Sequence, residues 1–408
     1  MAVQARIQHL DHGGSVISTH TPVGGSLTWG YKANEPGDIA YQLPLSDPAI
    51  IRDGFAPYRT DWRLQIKFDN AAWKSITAGI HVPVNLVNDQ DAVNVAGKDW
   101  AHWLEQPVWF QYYNYDWDTA GAATATRRRD VIKQSRAITA GIVENIAILA
   151  FTPGASQADM ITKLISNTKR GTDYVNINPV FTGSAASSVL TLQAYIISFQ
   201  DETTVLQHIN NLAALDNPYG FDWTMNADKK MEFFGPRKTA AGSPTGIWYL
   251  QQDQLLEQPM TELDWTNNGP IGTHIVGLSI GSPALWHHKR DQDSVDKYRE
   301  WLKIEHVGDR YIKSPDMKYA VDGIQDIFPH KDIKVTVLPE LLVNQNIFGS
   351  DYLKQDGFEN HIGDVVVVQW DFPPYHKVDA FYWITEQRYS GDPDGNWKCE
   401  LGLQQIYG

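Results

Sequence analysis

Hydrophobic and polar positions alternate with a period of two along much of this chain, the pattern of strands that bury one face. In the first hundred residues SLTWGYK, IAYQLPL, WRLQIKF and SITAGIHVPVNLV are short runs broken by Pro, Gly and Asp clusters, and they predict antiparallel β structure. In WRLQIKFDNAAWKSI, Trp62, Leu64, Ile66 and Phe68 fall on one face and Arg63, Gln65 and Lys67 on the other. The DNAAW segment then reads as the turn of a hairpin. DAVNVAG predicts another strand, KDWAHWLEQ a short helix capped by Asp99, and PVWFQYYNYDW a strand after it.

The centre changes character. ITAGIVENIAIL sets Ile138, Ile142, Ile146 and Leu149 at near-helical spacing, which predicts a helix. SQADMITKLISNTKR predicts a cleaner one, with Ser156 as its cap, Asp159 in the capping-box position, and Lys169 and Arg170 against the C-terminal dipole. VLTLQAYIISF reads as a strand and DETTVLQHINNLAALDNPYG as a helix. FDWTMNADKKMEFFGP reads as a hairpin turning at Asn226–Lys229. TAGAATATRRRD is an exposed loop whose Arg127–Arg129 triplet is a solvated patch or one that meets phosphate or an acidic partner, and RKTAAGSPTG is a linker. Beyond it IWYLQ, THIVGLSIGS, DIKVTVLPE, GDVVVVQW, VDAFYWITEQRYSGD and NWKCELGLQQIYG return to strands. The charged stretch DQDSVDKYREWLKIEH and a helix DMKYAVDGIQDIF interrupt them. The expected class is β-rich α+β, in three parts. These are a β domain over 1–108, a mixed α+β region over 109–236, and a second β domain over 237–408 with a helical, charged insertion around 285–328.

Composition narrows the function. At 408 residues the chain exceeds what one core usually organises, so two to four domains are expected. No stretch approaches the roughly 20 apolar residues of a bilayer span, so stable membrane insertion is not expected. The opening MAVQARIQHLDHGG has no apolar run behind a basic one, against a secretory signal. Cys399 is the only cysteine, so no intrachain disulfide forms, which suits a reducing cytosol. Acidic residues outnumber basic ones 48 to 34, a net charge of -14, which argues against gripping a phosphate backbone but suits a wall that DNA slides past. Aromatic residues reach 12%, with 15 Trp; placed in strand-like alternation they predict core or subunit interface, with a carbohydrate-binding surface as the other use.

Candidate chemistry is thin. Gly277-Leu278-Ser279-Ile280-Gly281 fits the nucleophile-elbow spelling, but it alternates as a strand through the Ser, and His361 and His376 downstream are unremarkable in a chain with 13 His. Asp392, Asp394 and Asn396 imitate the start of a calcium loop, yet Trp397 and Leu403 stand where Gly and Glu are required, so a hairpin turn is expected. His287 and His288 are adjacent and point to opposite faces of a strand, which prevents a shared metal. Asp116, Asp118, Glu262 and Asp264 are carboxylates no better placed than background for glycoside hydrolysis. No catalytic, cofactor-binding or metal-ligating residue is expected, and the chain reads as a structural protein rather than an enzyme.

The order of elements resembles the hub proteins of phage baseplates and siphophage tail tips. The likeness is carried by SLTWGYKANEPGDIAYQLPLSDP, by YRTDWRLQIKF with AVNVAGKDWAHWLEQPVWF, and by the helix and hairpin of DETTVLQHINNLAALDNPYGFDWTMNADKKMEFFGP. It is carried also by HIVGLSIGS, DIKVTVLPE, HIGDVVVVQW and VDAFYWITEQRYSGDPDGNWKCELGLQQI. The resemblance implies that both β-rich ends are barrel-like domains of tail-tube or hub type. It implies a homotrimer forming a pseudo-sixfold ring at the tail tip of a virion assembled in the host cytoplasm. Its partners would be the distal tail protein and tail tube, the tape measure protein's C-terminus, and fibre or spike proteins, with DNA passing through the lumen. A carbohydrate- or receptor-binding tail protein and a tail-associated cell-wall hydrolase are the alternative expectations.

Overall fold

The computed structural model describes residues 3–46, 60–68, 71–87, 91–110, 136–139, 141–145, 148–152, 154–169, 174–182, 195–198, 200–213, 221–234, 247–251, 260–266, 272–278, 286–306, 318, 321–322, 332–337, 358–372, 376–391 and 396–405. The N-terminal part is β1 (Val3–Leu10), β2 (Val16–His20), β3 (Thr28–Lys32), β4 (Asp38–Pro44), β5 (Asp61–Phe68), β6 (Lys74–Val87) and β7 (Ala92–Asp99). The centre holds β8 (Arg136–Thr139), β9 (Ile142–Glu144), β10 (Ile148–Phe151), α1 (Gln157–Ser166), β11 (Asn178–Phe181), β12 (Tyr195–Ser198), α2 (Val205–Ala213), β13 (Asp222–Met225) and β14 (Lys230–Phe234). The C-terminal part comprises β15 (Ile247–Gln251), β16 (Met260–Thr266), β17 (His274–Leu278), β18 (Trp286–Arg290), α3 (Gln292–Tyr298), β19 (Leu302–His306), β20 (Asp332–Val337), β21 (Val365–Phe372), β22 (His376–Gly391) and β23 (Trp397–Gln405).

The two β-rich ends share one sheet. Its order is β16-β20-β23-β22-β3-β4-β7-β6-β5-β1-β2, with β21 on β22 and β15 on β21. The joint is β3 against β22, where Lys32 pairs Glu386 and Thr28 pairs Ser390 in antiparallel register. One core lies beneath this joint and draws on both ends: Trp29 stacks on Tyr389 at 4.7 Å and 9°, with Trp397 edge-on to Trp29 at 5.2 Å. Burying rings of this size is the largest single apolar gain open to a sheet face. The predicted alternation of β5 holds, since Trp62, Leu64 and Ile66 are buried while Arg63, Gln65 and Lys67 are partly exposed.

The centre is built as expected in two places and differently in a third. Ser156 caps α1 reciprocally: its Oγ accepts from Asp159 N at 3.0 Å and donates to Asp159 Oδ2 at 2.6 Å. The hairpin β13–β14 turns at Asn226–Lys229, where Asn226 Oδ1 accepts from the backbone N of Asp228 and Lys230 and Lys229 takes φ 62. The helix expected over ITAGIVENIAIL is instead β8, β9 and β10 in a sheet of order β12-β10-β9-β8. Gly141 explains it: with φ 78 and Ala155 N only 2.3 Å from where a Cβ would sit, it makes a turn closed to a helix. Asn145 makes the next turn, its N donating to Ile148 O and its Oδ1 accepting from Ile148 N. Lys169 also departs from expectation, because α1 stops at Ser166 and the ammonium goes to Asn176 Oδ1 at 2.6 Å.

The short helix after β7 is a single 3-10 stretch, Trp100–Leu104, capped as predicted by Asp99, whose Oδ1 accepts from Ala101 N at 2.9 Å. The chain that follows is not assigned as a strand over its described part, 107–110: Pro107, which has no N–H to donate, makes an isolated bridge to Thr204, and Val108 and Phe110 are buried in the core. Residues 111–117, the loop 119–130 and the linker 237–246 lie outside the described residues. So does most of the helix expected at 316–328, of which Lys318, Val321 and Asp322 are helical. Among the described residues, no helix is long and apolar enough to cross a membrane.

Candidate assembly surfaces

The N-terminal strands curl. In sheet order β1 and β4 are separated by β5, β6 and β7, yet His9 Nε2 of β1 lies 2.8 Å from the Tyr41 hydroxyl of β4. The same hydroxyl is 3.0 Å from His81 Nε2 of β6, and His20 of β2 sets its ring 4.5 Å from that of His9. All four side chains are buried. His81 Nδ1 faces the Thr60 carbonyl at 2.8 Å. A carbonyl only accepts, so Nδ1 carries the proton and Nε2 accepts from the Tyr41 O–H. Tyr41 oxygen in turn accepts from His9 Nε2–H. The backbone joins the same seam, Val23 N donating to Gln42 O at 2.9 Å. Sheet pairing does not itself close the ring among the described residues.

Outside the seam the surface is apolar. Val16 and Ile17 on the edge strand β2 are about half exposed, and Val23 and Leu45 lie open nearby. A second apolar face belongs to the small sheet β18-β17-β19. Its register puts Leu278 beside Trp286, Val276 between His288 and Ile304, and His274 between Arg290 and Leu302. Trp286, Trp301 and Leu302 are each 61% exposed and Ile304 56%. Trp286 lies nearly parallel to His288 (5.8 Å, 21°), while Glu300 Oε1 receives His274 Nδ1 and Arg290 Nε at 2.9 and 3.1 Å. The register sets Trp286, Leu302 and Ile304 on one face, with Trp301 exposed just before β19, and exposed apolar side chains of this kind are the composition of protein or sugar contacts.

A cavity of about 230 Å³ opens where the β1–β2 turn meets the β13–β14 turn, lined by Leu10, Asp61, Arg63, Trp100, Asp228 and Lys229 among others. Burial raises the Asp61 pKa against the pull of His12, whose Nδ1 is 3.7 Å away. Lys229 sits 4.4 Å over the Trp100 ring. The charges of the cavity are mixed, and among its described lining residues no nucleophile–base pair is assembled.

The residues singled out by sequence are scattered. Ser279 lies outside the described residues, and the strand leading to it is paired on both sides, Gly277 to His287 and to Glu305. His361 is buried, with Nδ1 3.0 Å from Asp364 Oδ2. His376 begins β22, and its side chain is outside the described set, as are those of Glu262 and Asp264 on β16. Asp392 and Asp394 lie outside it too; β22 and β23 pair antiparallel with Gly391 opposite Trp397, and Trp397 and Leu403 are core residues. His288 turns to His274 (Nδ1 to Nε2, 3.3 Å), while the helical Asp322 and Lys318 act on His287, as expected of neighbours on opposite faces. Asp116, Asp118 and Arg127–Arg129 are outside the described residues. Among the described residues no group of three or more His, Cys, Asp or Glu is placed to hold a metal. Cys399 is buried, which pushes its thiol pKa up and away from reactivity. The histidine seam went unread in the sequence, although the alternating ARIQHL and the turn DHGGS mark its hairpin.

No family model matches the sequence, and no curated protein does. By structure, the chain superposes on a tail protein from Neisseria meningitidis MC58 with a TM-score of 0.58, covering 99% of this chain and 97% of that one at 12% identity. The 43 kDa tail protein of prophage MuSo2 from Shewanella oneidensis gives 0.53, covering 98% and 96% at 11% identity. The chain has the fold of phage tail proteins. The correspondence takes in both β-rich ends and the mixed centre, so it belongs to the whole architecture and not to one shared module. The resemblance read from the order of elements is met at the level of fold.

Proposed function

We propose that the chain is a structural virion protein, a baseplate or tail-tip hub that closes or extends the tail tube. The observation that carries this is the near-complete, two-way coverage by tail proteins of known structure. In this reading three copies form the ring, and each supplies two barrel-like domains, over 1–108 and 237–408, around the mixed region 109–236. The curl of β1 onto β4 supports a barrel-like first domain, and the β3–β22 joint would hold the two domains in fixed register. The distal tail protein and tube lie above, fibres or spikes below, and the tape measure protein's C-terminus inside. The net charge of -14 suits a lumen through which DNA leaves without adhering. The protein carries no catalytic role in this account and is assembled in the host cytoplasm.

Light scattering with negative-stain imaging of the purified chain tests the ring. Three chain masses and closed rings support it; a single chain at every concentration, with or without neighbouring tail proteins, rejects it. The exposed Trp286 and Trp301 favour one second reading, a carbohydrate-binding tail protein. Glycan-array binding lost on Trp286→Ala would establish that instead.

A further inference from the structure

We propose that His274 and His288 bind one divalent transition-metal ion of the zinc class, with Glu300 positioning His274 and water completing the coordination shell. The site belongs to the small sheet β18-β17-β19 and is independent of the hub reading. His274 on β17 stands opposite Arg290, and His288 on β18 stands opposite Val276, so the two imidazoles are diagonal neighbours on one face. That face is open: His288 is exposed, and the His274 side chain keeps 22% of its surface in solvent. His274 Nε2 lies 3.3 Å from His288 Nδ1. Two imidazole nitrogens on one tetrahedral ion, each at about 2.0–2.1 Å, stand about 3.3–3.4 Å apart, so the pair already has the spacing of a shared ion. Imidazole suits zinc, nickel or copper, whereas magnesium and calcium take oxygen ligands.

Glu300 decides which nitrogen is open. Its Oε1 lies 2.9 Å from His274 Nδ1 and 3.1 Å from Arg290 Nε, and a carboxylate so placed only accepts. His274 Nδ1 therefore carries the hydrogen, and Nε2 presents its lone pair towards His288. A carboxylate behind an imidazole is the arrangement that fixes the tautomer and ring orientation of a ligating histidine. Without metal, His288 Nδ1–H donates to that lone pair. With metal, His288 takes its other neutral tautomer, the hydrogen moving to Nε2, and rotation of the two rings brings both lone pairs to one point. No proton is gained or lost. Glu300 is itself held from both sides. The buried Thr273 hydroxyl donates to Arg299 O at 2.9 Å and accepts from Trp301 N at 2.8 Å. Trp301 O accepts from Thr273 N and His274 N, each at 3.0 Å. Arg299 takes φ 71 to make this turn, so strain and hydrogen bonds together fasten Glu300 beside the start of β17.

Calorimetric titration of the full chain with Zn²⁺ alone tests the site. Binding of one ion per chain is expected, weakened at least about tenfold in H274Q and in H288Q, and about tenfold in E300Q. H287Q, altered on the opposite face of β18, is expected to keep wild-type affinity. Absence of binding by the wild type, or equal binding by the double variant H274Q/H288Q, would overturn the site. So would a loss in H287Q as large as that in H288Q. Unchanged affinity in E300Q would overturn the positioning role of Glu300. A second measurement needs no variant: hydrogen exchange read by mass spectrometry on the wild type with and without Zn²⁺. Residues 274–278 and 286–290 are expected to exchange about tenfold more slowly with the ion while β22 and β23 are unchanged. No slowing in β17 and β18, or equal slowing in β22 and β23, would contradict the site.

Discussion

Asn34 and Trp223 hold each other from both sides of the junction between the large sheet and the central unit. Asn34 N donates to Trp223 O, and Trp223 N donates to Asn34 Oδ1, each at 3.0 Å. Asn34 occupies the β3–β4 turn at φ 62, a conformation that Asn tolerates better than most residues. Its carbonyl accepts from Asn210 Nδ2 at 3.0 Å, and Asn210 Oδ1 accepts the Trp223 indole N–H at 2.8 Å. One turn residue thus ties β3 to β13 and α2.

Replacing Asn34 by Ala should cost about 2–4 kcal/mol, from the lost side-chain bonds and the positive φ together. Asn34→Gly removes the bonds but keeps the conformation, and should recover about 1 kcal/mol of that loss. Urea unfolding of the three proteins checks the order wild type, Gly, Ala.

Trp62 and Gly97 form a second close contact. A Cβ at Gly97 would lie 2.3 Å from Trp62 Nε1, which donates to Ile80 O at 3.1 Å. Gly97→Ala should therefore push the indole off its carbonyl and cost about 1–3 kcal/mol. The near-UV circular dichroism of the variant should lose Trp signal; an unchanged spectrum at wild-type stability would count against the packing described.

Asp99 makes stability depend on pH. Its Oδ2 accepts from Gly37 N at 2.7 Å and its Oδ1 from Ala101 N, yet burial outweighs both and raises its pKa from 3.8 to about 7. A raised pKa means that the folded chain holds the proton more tightly. The stability from this is complete below 3.8 and is lost as pH climbs through about 7. Asp99→Asn should flatten that fall between pH 3.8 and about 7, and should cost about 1–3 kcal/mol at the acid end, because its amide faces a donor. Thermal unfolding across the range measures both.

How legible all this was depended on how local the cause is. The caps at Asp99 and Ser156, the turn at Asn226–Lys229 and the inward Trp62, Leu64 and Ile66 depend on neighbours within a few residues, and they could be read directly. Ile138, Ile142, Ile146 and Leu149 misled because spacing alone cannot register the approach of Ala155 to Gly141, fourteen positions away. The seam was illegible for the same reason: His9, Tyr41 and His81 meet only after three intervening strands have curled. The shared sheet was hidden too, since nothing in TWGYK names ITEQRYSG as its partner.

The exposed rings of Trp286 and Trp301 should separate folding from association. With both residues 61% exposed, changing them to Ser should alter unfolding free energy by no more than about 0.5 kcal/mol. The same double variant should weaken ring formation or glycan retention. Equal assembly and equal glycan binding to the wild type would mean that these two rings are passive surface.

Immunogold labelling tests the central claim most directly. An antibody raised to this chain is applied to intact tailed particles whose genome encodes it. Gold confined to the far end of the tail is the expected result; particles that carry no label, or label along the whole tube, would contradict the assignment of this chain to the tail-tip hub.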